Sequence, residues 1–503
     1  MTDIFASIKL DPALGRPLYV QLYESIKKML EEGILPPDFR LPSIRRLADL
    51  LNVNQVTVVS AYKLLISNGY AYSKTGSGTY TTETIPSFQP QDTQIDNYTA
   101  ITDEVYYNED ISFMSSREIK IDSNTINFAS ATPTPDLFPV DNFKKALDEV
   151  LERDRGNAFS YQEGQGFYPL RESIASVICE GLACSSSDIQ IISGAQQGID
   201  IISKAFLRQG DYVITESPTY TGAVAVFKSR GARIIDVDIA EDGPNLNIIE
   251  YNLKKYKPRL IYTIPSFQNP TGYSYSNAKR IELIRLAEKY NAYIIEDDYV
   301  SEMDFDGRGY LSLKSLDSSG RVIFIKSFSK IFMPGLRLGY MIVPSNLKHK
   351  VLEAKHTTDI STSGLIQRAF DLYIREGFWN SHMKYVYEIY KERYFKAINT
   401  LKENHPNYVN FNVPGGGLNI WLTFQNDFPV DKLYKNCSSG NIVFAPGRIF
   451  YSSTPVYKAA SIRLSFAAVY TDKIDEGISK LCAIIRNIND SKSTSQYTSV
   501  PIL

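Results

Sequence analysis

The chain has 503 residues, 43% of them hydrophobic and 22% charged, with a formal net charge of -2. That length exceeds the roughly 250 to 300 residues at which a single core stops growing, so more than one domain is required, and the ordinary composition excludes bulk disorder, collagen-like repeats and coiled coils. A near-neutral balance gives no whole-molecule field for gathering nucleic acid or anionic lipid, and no apolar run approaches the roughly 18 residues of a membrane span; any DNA-binding surface must be local, and the expected location is the cytoplasm, away from membranes.

From Leu18 to Glu32 apolar residues recur at helical spacing (Leu18, Leu22, Ile26, Met29, Leu30), and Gly33 stops the helix. Ser43 is a good N-cap for a second helix with Ile44, Leu47, Ala48 and Leu51 inward. Asn54 caps a third helix running to about Asn68, with Val58, Tyr62 and Leu65 facing in, and Gly76 and Gly78 suit the tip of a small hairpin between Ala71 and Thr82. Two helices joined by a tight turn and followed by a hairpin fit a winged helix-turn-helix whose third helix enters the major groove, although the same pattern also packs three helices that touch no DNA. Between Asp38 and Tyr80, Arg40, Arg45, Arg46, Lys63 and Lys74 stand against Asp38 and Asp49, an excess sufficient for a few phosphate contacts.

Pro17-Leu18-Tyr19, Leu41-Pro42-Ser43-Ile44-Arg45-Arg46-Leu47-Ala48, Thr57-Val58, Ala61-Tyr62-Lys63-Leu64-Leu65 and Gly69-Tyr70 resemble the GntR-type winged helix-turn-helix over about residues 10–80. The resemblance implies that Arg45 contacts DNA and that the start of the third helix reads bases, giving Arg45, Arg46, Asn54, Gln55, Thr57 and Lys63 as the DNA-binding set. Asn54-Gln55 departs from the Ser-Arg frequent in that family. Gln55 can pair with adenine N6 and N7, without the charge or guanine preference of an arginine.

Residues 81–120 carry eight acidic residues against Arg117 and Lys120, together with Pro86 and Pro90, and read as a linker. From about Ile121 strand-sized apolar runs alternate with amphipathic stretches, as in Ile189 to Ser193 followed by Ala195 to Leu207, or Leu260 to Ile264, Ala278 to Tyr290 and Ala292 to Glu296. That alternation predicts an α/β domain over 121–490, a mostly parallel sheet covered by helices, with 491–503 left as a tail. Cys179, Cys184, Cys437 and Cys482 are scattered and the four histidines lack paired spacing, so free, mostly buried thiols and no metal site are expected.

Lys326-Ser327-Phe328-Ser329-Lys330 followed by Pro334-Gly335-Leu336-Arg337-Leu338-Gly339 brackets Lys330 with a hydroxyl and a guanidinium that could grip a phosphate while the amine reaches an aldehyde. Ile295-Glu296-Asp297-Asp298-Tyr299 ends an apolar strand with carboxylates where open α/β sheets bind ligands, and pyridoxal phosphate needs such a group at its ring nitrogen. Asn269, in Asn269-Pro270-Thr271-Gly272, can donate to a phenolic oxygen, and Ser193-Gly194-Ala195-Gln196 joins a strand to a helix whose free N–H groups suit a phosphate. Each segment alone has an ordinary reading: a surface lysine, an acidic cap, a turn, a small-residue loop.

Together and in this order, the segments resemble the fold type I, aspartate-aminotransferase-like enzymes over about residues 121–490. The resemblance implies Lys330 as the aldimine lysine, Asp297 as the ring-nitrogen partner, and Asn269 and Tyr299 as partners of the phenolic oxygen. It further implies Ala195, Gln196, Ser327 and Arg337 at the phosphate, Tyr220 stacked on the ring, and Tyr161 reaching the phosphate of a second subunit, hence a homodimer. Arg463 matches the clamp for a substrate carboxylate, while Asn419 and Ser465 stand where histidine and glycine are frequent.

A GntR-type reader joined by a linker to such a domain resembles the MocR/GabR regulators. The resemblance implies a regulator that binds a double-stranded DNA operator and senses an amino-acid or amine effector by aldimine exchange at Lys330, with transimination or half-transamination and net turnover left open. Two alternatives stay open: pyridoxal phosphate as the effector itself, in the manner of regulators of vitamin B6 synthesis, and a working aminotransferase with an accessory DNA-binding domain.

Overall fold

The computed structural model describes residues 4–8, 10–11, 17–67, 70–74, 78–82, 124–179, 181–182, 184–425, 427–453 and 460–496. These form two compact units, one drawn from residues 1–104 and the other from 105–503. The expected linker falls almost wholly outside the described residues, as does Gly76.

In the first unit, helices α1 (Leu18–Glu31), α2 (Ile44–Leu51) and α3 (Gln55–Ser67) precede an antiparallel hairpin of β1 (Ala71–Lys74) and β2 (Gly78–Thr81). Leu22, Ile26, Leu30, Leu47, Val58, Ala61 and Leu65 supply one small core. Ser43 Oγ accepts from Arg46 N and starts α2; Asn52, in the left-handed region at φ 53°, ends it and sets the turn into α3. Ile44 corrects the sequence reading: at the first helical position it is exposed, while Leu41, ahead of the cap, is buried in the core. Gly78 likewise does not sit at the hairpin tip. It pairs with Lys74 as the first residue of β2, in close approach to the Arg40 guanidinium.

In the second unit β3 (Ile126–Asn127) pairs in parallel with Ile442–Val443, apart from the main eight-stranded sheet. Its strands are β4 (Ile189–Ile192), β5 (Tyr212–Ser217), β6 (Arg233–Ala240), β7 (Gly243–Pro244), β8 (Leu260–Thr263), β9 (Tyr293–Asp298), β10 (Val322–Ser327) and β11 (Gly339–Ile342), in the order β4-β11-β10-β9-β8-β5-β6-β7. The block from β10 to β6 is parallel, and β11 runs antiparallel to both β10 and β4. Every residue of β4, β8 and β10 is buried, the signature of a sheet covered on both faces, which explains why these strands read as continuous apolar runs. A smaller antiparallel sheet contributes Asn419–Thr423 paired with Ser461–Ser465.

Cys179, Cys437 and Cys482 are buried and Cys184 is half-buried. The last helix, Ile474–Gln496, runs into the segment expected as tail, because nothing from Ser491 to Gln496 is a glycine or proline that would stop propagation. No described helix is long and apolar enough to cross a membrane.

Candidate functional site

Because β4, β5, β8, β9 and β10 point the same way, their C-terminal ends share one edge of the sheet, and the segments carrying Gly194, Tyr220, Asn269, Tyr299 and Lys330 leave from it. Ser327 of β10 is level with Gly339 of β11, which is level with Ile192 of β4. That row brings Ser327, Arg337 and the turn at Gly194 to one corner.

Lys330 follows β10 in a loop fixed from behind: Tyr390 donates to its carbonyl at 3.0 Å, and His382 Nε2 lies 2.8 Å from the Ile331 carbonyl. Burial lowers the Lys330 amine to about 8, and Arg463 and then Arg337 add to the shift. Asp297, near the end of β9, is 4% exposed. Burial raises its carboxyl to about 7 against the opposing hydrogen bond from Tyr262, whose hydroxyl donates to Oδ2 at 2.6 Å. Asp297 Oδ1 is buried without a partner. An unsatisfied carboxylate oxygen of this kind fits the ring N–H of pyridoxal phosphate and has no role in holding the sheet.

Tyr262 had no signal in the sequence beyond an aromatic in an apolar strand. Removing its hydroxyl takes away a bond that favours the ionised carboxylate, so Tyr262→Phe is expected to move the Asp297 midpoint upward from about 7 in cofactor-free protein, measured by carboxylate carbon NMR.

Arg463 lies mid-strand in Ser461–Ser465, level with Trp421, and is 6% exposed. It donates through Nη1 to Asn269 Oδ1 at 2.9 Å and through Nη2 to the Ala129 carbonyl, while Nε is buried without a partner. Burial lowers its guanidinium to about 10, with Tyr299 and then Tyr220 opposing. Among the described residues no carboxylate pairs with it. The Tyr299 hydroxyl donates to the Phe267 carbonyl at 2.6 Å and accepts from Asn419 Nδ2 at 3.0 Å, so its proton is already engaged. Asn419 keeps a buried Oδ1 without a partner.

The opposite corner is built for an anion. Gly194, at φ 96°, precedes the helix Ala195–Phe206, and the first bond there is from Gln197 N to the Gly194 carbonyl at 3.1 Å. The N–H groups of Ala195 and Gln196 therefore fall ahead of the helical ladder. Arg337, left-handed at φ 52°, donates through Nη2 to the Ser193 carbonyl at 2.7 Å, and a Cβ on Gly194 would lie 2.8 Å from that nitrogen. Glycine is thus required for the guanidinium to cross the turn. Tyr220 donates to Gln196 Oε1 at 3.1 Å and its phenol is raised by burial to about 12. Ser327 closes the row and its Oγ accepts from Ser329 N at 3.2 Å. Tyr161 is 81% exposed.

On the first unit, Arg45 and Arg46 are exposed in the first turn of α2, and Asn54, Gln55 and Lys63 are exposed along α3; Thr57 is half-buried. Asn54 Oδ1 accepts from Val56 N at 3.0 Å, so this side chain is a cap first and offers only its amide donors outward. Val56, which carried no signal in the sequence, is 67% exposed at the helix start. Lys74 on the hairpin lies over the stacked rings of Tyr72 and Tyr80. If Arg45 neutralises one phosphate, Arg45→Ala should flatten the slope of log affinity against log salt by about 0.9, read by fluorescence anisotropy on duplex DNA.

Comparison with known proteins agrees with this division. The family described as aminotransferase class I and II matches residues 123–481, and the bacterial regulatory proteins of the gntR family match residues 18–81. The chain is 31% identical over 396 residues to aromatic-amino-acid aminotransferase 1 of Thermococcus litoralis, covering 76% of this chain and 94% of that protein. It is 27% identical over 483 residues to the probable rhizopine catabolism regulatory protein MocR of Rhizobium meliloti, covering 94% of each. Among solved structures, the multiple substrate aminotransferase of Thermococcus profundus superposes with a TM-score of 0.70 at 28% identity, over 78% of this chain and 97% of that one.

Proposed function

The chain belongs to the aminotransferase class I and II family and carries a gntR-family DNA reader ahead of it, the make-up of the MocR-type transcriptional regulators, and from that premise we propose that it senses an amino-group effector at Lys330 and passes the result to its DNA readers. The observation that carries this reading is Arg463, a buried guanidinium facing only neutral acceptors among the described residues. A buried charge so placed calls for an anionic partner, and an effector carboxylate beside the Lys330 amine supplies one.

Pyridoxal phosphate, when bound, supplies an aldehyde that captures primary amines and a ring that accepts electron density. Asp297 offers Oδ1 to hold a proton at the ring nitrogen, while Tyr262 keeps Oδ2 in place. Arg337 and the N–H groups of Ala195 and Gln196 would hold the phosphate, with Ser327 at the same corner, Tyr220 would cover the ring, and Asn269 and Tyr299 would line the phenolic edge. The Lys330 amine would be the protein's own group for the aldehyde, and Arg463 would orient an effector amine beside it by its carboxylate. Exchange alters DNA binding only as far as the effector favours one arrangement of the protein over another. In the homodimer this reading entails, the exposed Tyr161 reaches the phosphate of the second subunit.

The sign of the pH dependence follows from Lys330. An amine at about 8 is neutral in about one molecule in ten at pH 7, against roughly one in three thousand for an ordinary lysine. Capture of added cofactor, timed by stopped-flow absorbance, is expected to quicken about tenfold per pH unit below 8 and to level off above it.

The test is an absorbance titration of cofactor-loaded protein with amino acids and with amines lacking a carboxylate. A visible band that shifts at lower concentration with the amino acids supports the reading; a band that no amine moves sinks it and favours the cofactor itself as the signal. The same Lys330, Asp297 and Arg463 set also favours a second reading, a working aminotransferase, which requires sustained keto-acid release from pairs of amino and keto acids.

A further inference from the structure

Glu216, at the end of β5, is a buried carboxylate that the scheme above leaves without a task. Its Oε1 accepts from Tyr275 at 2.6 Å and from Ile264 N at 2.9 Å, with the Thr263 hydroxyl at 2.7 Å. Its Oε2 accepts from Gln268 Nε2 at 2.8 Å, with the Thr219 hydroxyl at 3.4 Å. Burial raises its carboxyl and the Tyr275, Thr263, Gln268 and Ile264 donors oppose the rise, which is a large concentration of polar bonding for a group remote from solvent.

The partners belong to the two loops that wall the cofactor site. Thr219 precedes Tyr220, and Gln268 precedes Asn269. The same Gln268 Nε2 also donates to the Pro218 carbonyl at 2.8 Å, so one amide group ties both loops to Glu216. The polarity of Gln268 is fixed: its Oε1 accepts from Thr271 N at 3.0 Å and from Thr271 Oγ1 at 2.7 Å, leaving its nitrogen to face Glu216. Residue 216 must therefore accept, with both oxygens, on both sides.

We propose that Glu216 is a positioning residue that locks the Tyr220 loop to the Asn269 loop and so fixes the spacing between the ring-stacking wall and the phenolic edge of the site. The inference rests on the reading of the cofactor site given above. Glu216→Gln keeps size and shape but sets the new amide nitrogen against Gln268 Nε2, donor on donor. Turning the new amide around does not relieve this, because its nitrogen then meets the Ile264 N–H.

The experiment uses the full chain as wild type and Glu216→Gln. Hydrogen exchange in cofactor-free protein is expected to speed up together in segments 217–223 and 264–275 of Glu216→Gln and to leave β10 and β11 unchanged. Pyridoxal phosphate affinity is expected to fall about tenfold or more in the variant, and the pH midpoint of the visible band is expected to move with it. A lowered melting temperature with unchanged affinity and unchanged midpoint would make Glu216 a fold-stabilising group only and overturn the inference, as would acceleration of one loop without the other. If Glu216→Gln fails to fold, Thr263→Val, which removes one hydroxyl at the same carboxylate, is read by the same two measurements. A wild type without a Lys330-dependent band would strike the cofactor reading, whereas the exchange data judge the coupling of the loops by themselves.

Discussion

Lys330→Ala is expected to abolish the visible band of the cofactor-loaded protein and to reduce retention of pyridoxal phosphate through dialysis by at least about 100-fold, equivalent to about 2.7 kcal/mol. The magnitude follows from what the substitution leaves behind. Arg337, the turn at Gly194 and Asp297 still meet the phosphate and ring, but the amine, pushed down to about 8 by burial and by Arg463 and Arg337, is the group in this cluster able to join the aldehyde covalently. The fold should be spared, because the Lys330 carbonyl, which accepts from Tyr390 and anchors the loop, survives the change. Circular dichroism should match wild type while the visible region of the absorbance spectrum is flat. A Lys330→Ala protein that kept an amine-responsive band would place the chemistry elsewhere.

Arg463→Ala carries the second large effect, and it separates effector classes. Hydrogen bonds to charged groups are each worth about 1.5 to 3 kcal/mol, so a guanidinium that meets a carboxylate through two of them accounts for about 3 kcal/mol or more, a loss of about 100-fold in effector affinity. An amine without a carboxylate should lose little. Asn269 Oδ1 and the Ala129 carbonyl would each lose a donor, so a moderate drop in thermal stability is expected alongside. Calorimetric or spectral titration with an amino acid and with its decarboxylated amine measures the two arms. Equal affinities in wild type and variant for every amino acid would remove Arg463 from effector binding.

Much of this site could be read from the sequence because its parts are punctuated. Lys330, Asn269 and the turn at Gly194 each follow a short apolar strand and Asp297 closes one, and the parallel order of those strands carries their C-terminal ends to one edge without further information. What could not be read are partners that lie in regular structure or far away in the chain. Tyr262 stands inside a buried strand, where an aromatic has an ordinary packing role, and only the register between β8 and β9 brings its hydroxyl to Asp297. Ala129 reaches Arg463 across 334 positions of sequence, and the Glu216 cluster joins segments up to 59 positions apart. In the first unit, capping chemistry made α2 and α3 legible, whereas Ile44 shows the limit of periodicity at a helix end, where the core is closed by a residue outside the helix.

On this reading, amine exchange at Lys330 changes how the protein holds DNA. The experiment to make is operator affinity, by anisotropy on a duplex selected with the full chain, for cofactor-loaded wild type and Lys330→Ala with and without the amine that moves the visible band. The expected result is a change in affinity or footprint in wild type that saturates with the spectral titration and is lost in Lys330→Ala. Identical affinity and identical footprint with and without that amine in wild type would contradict it.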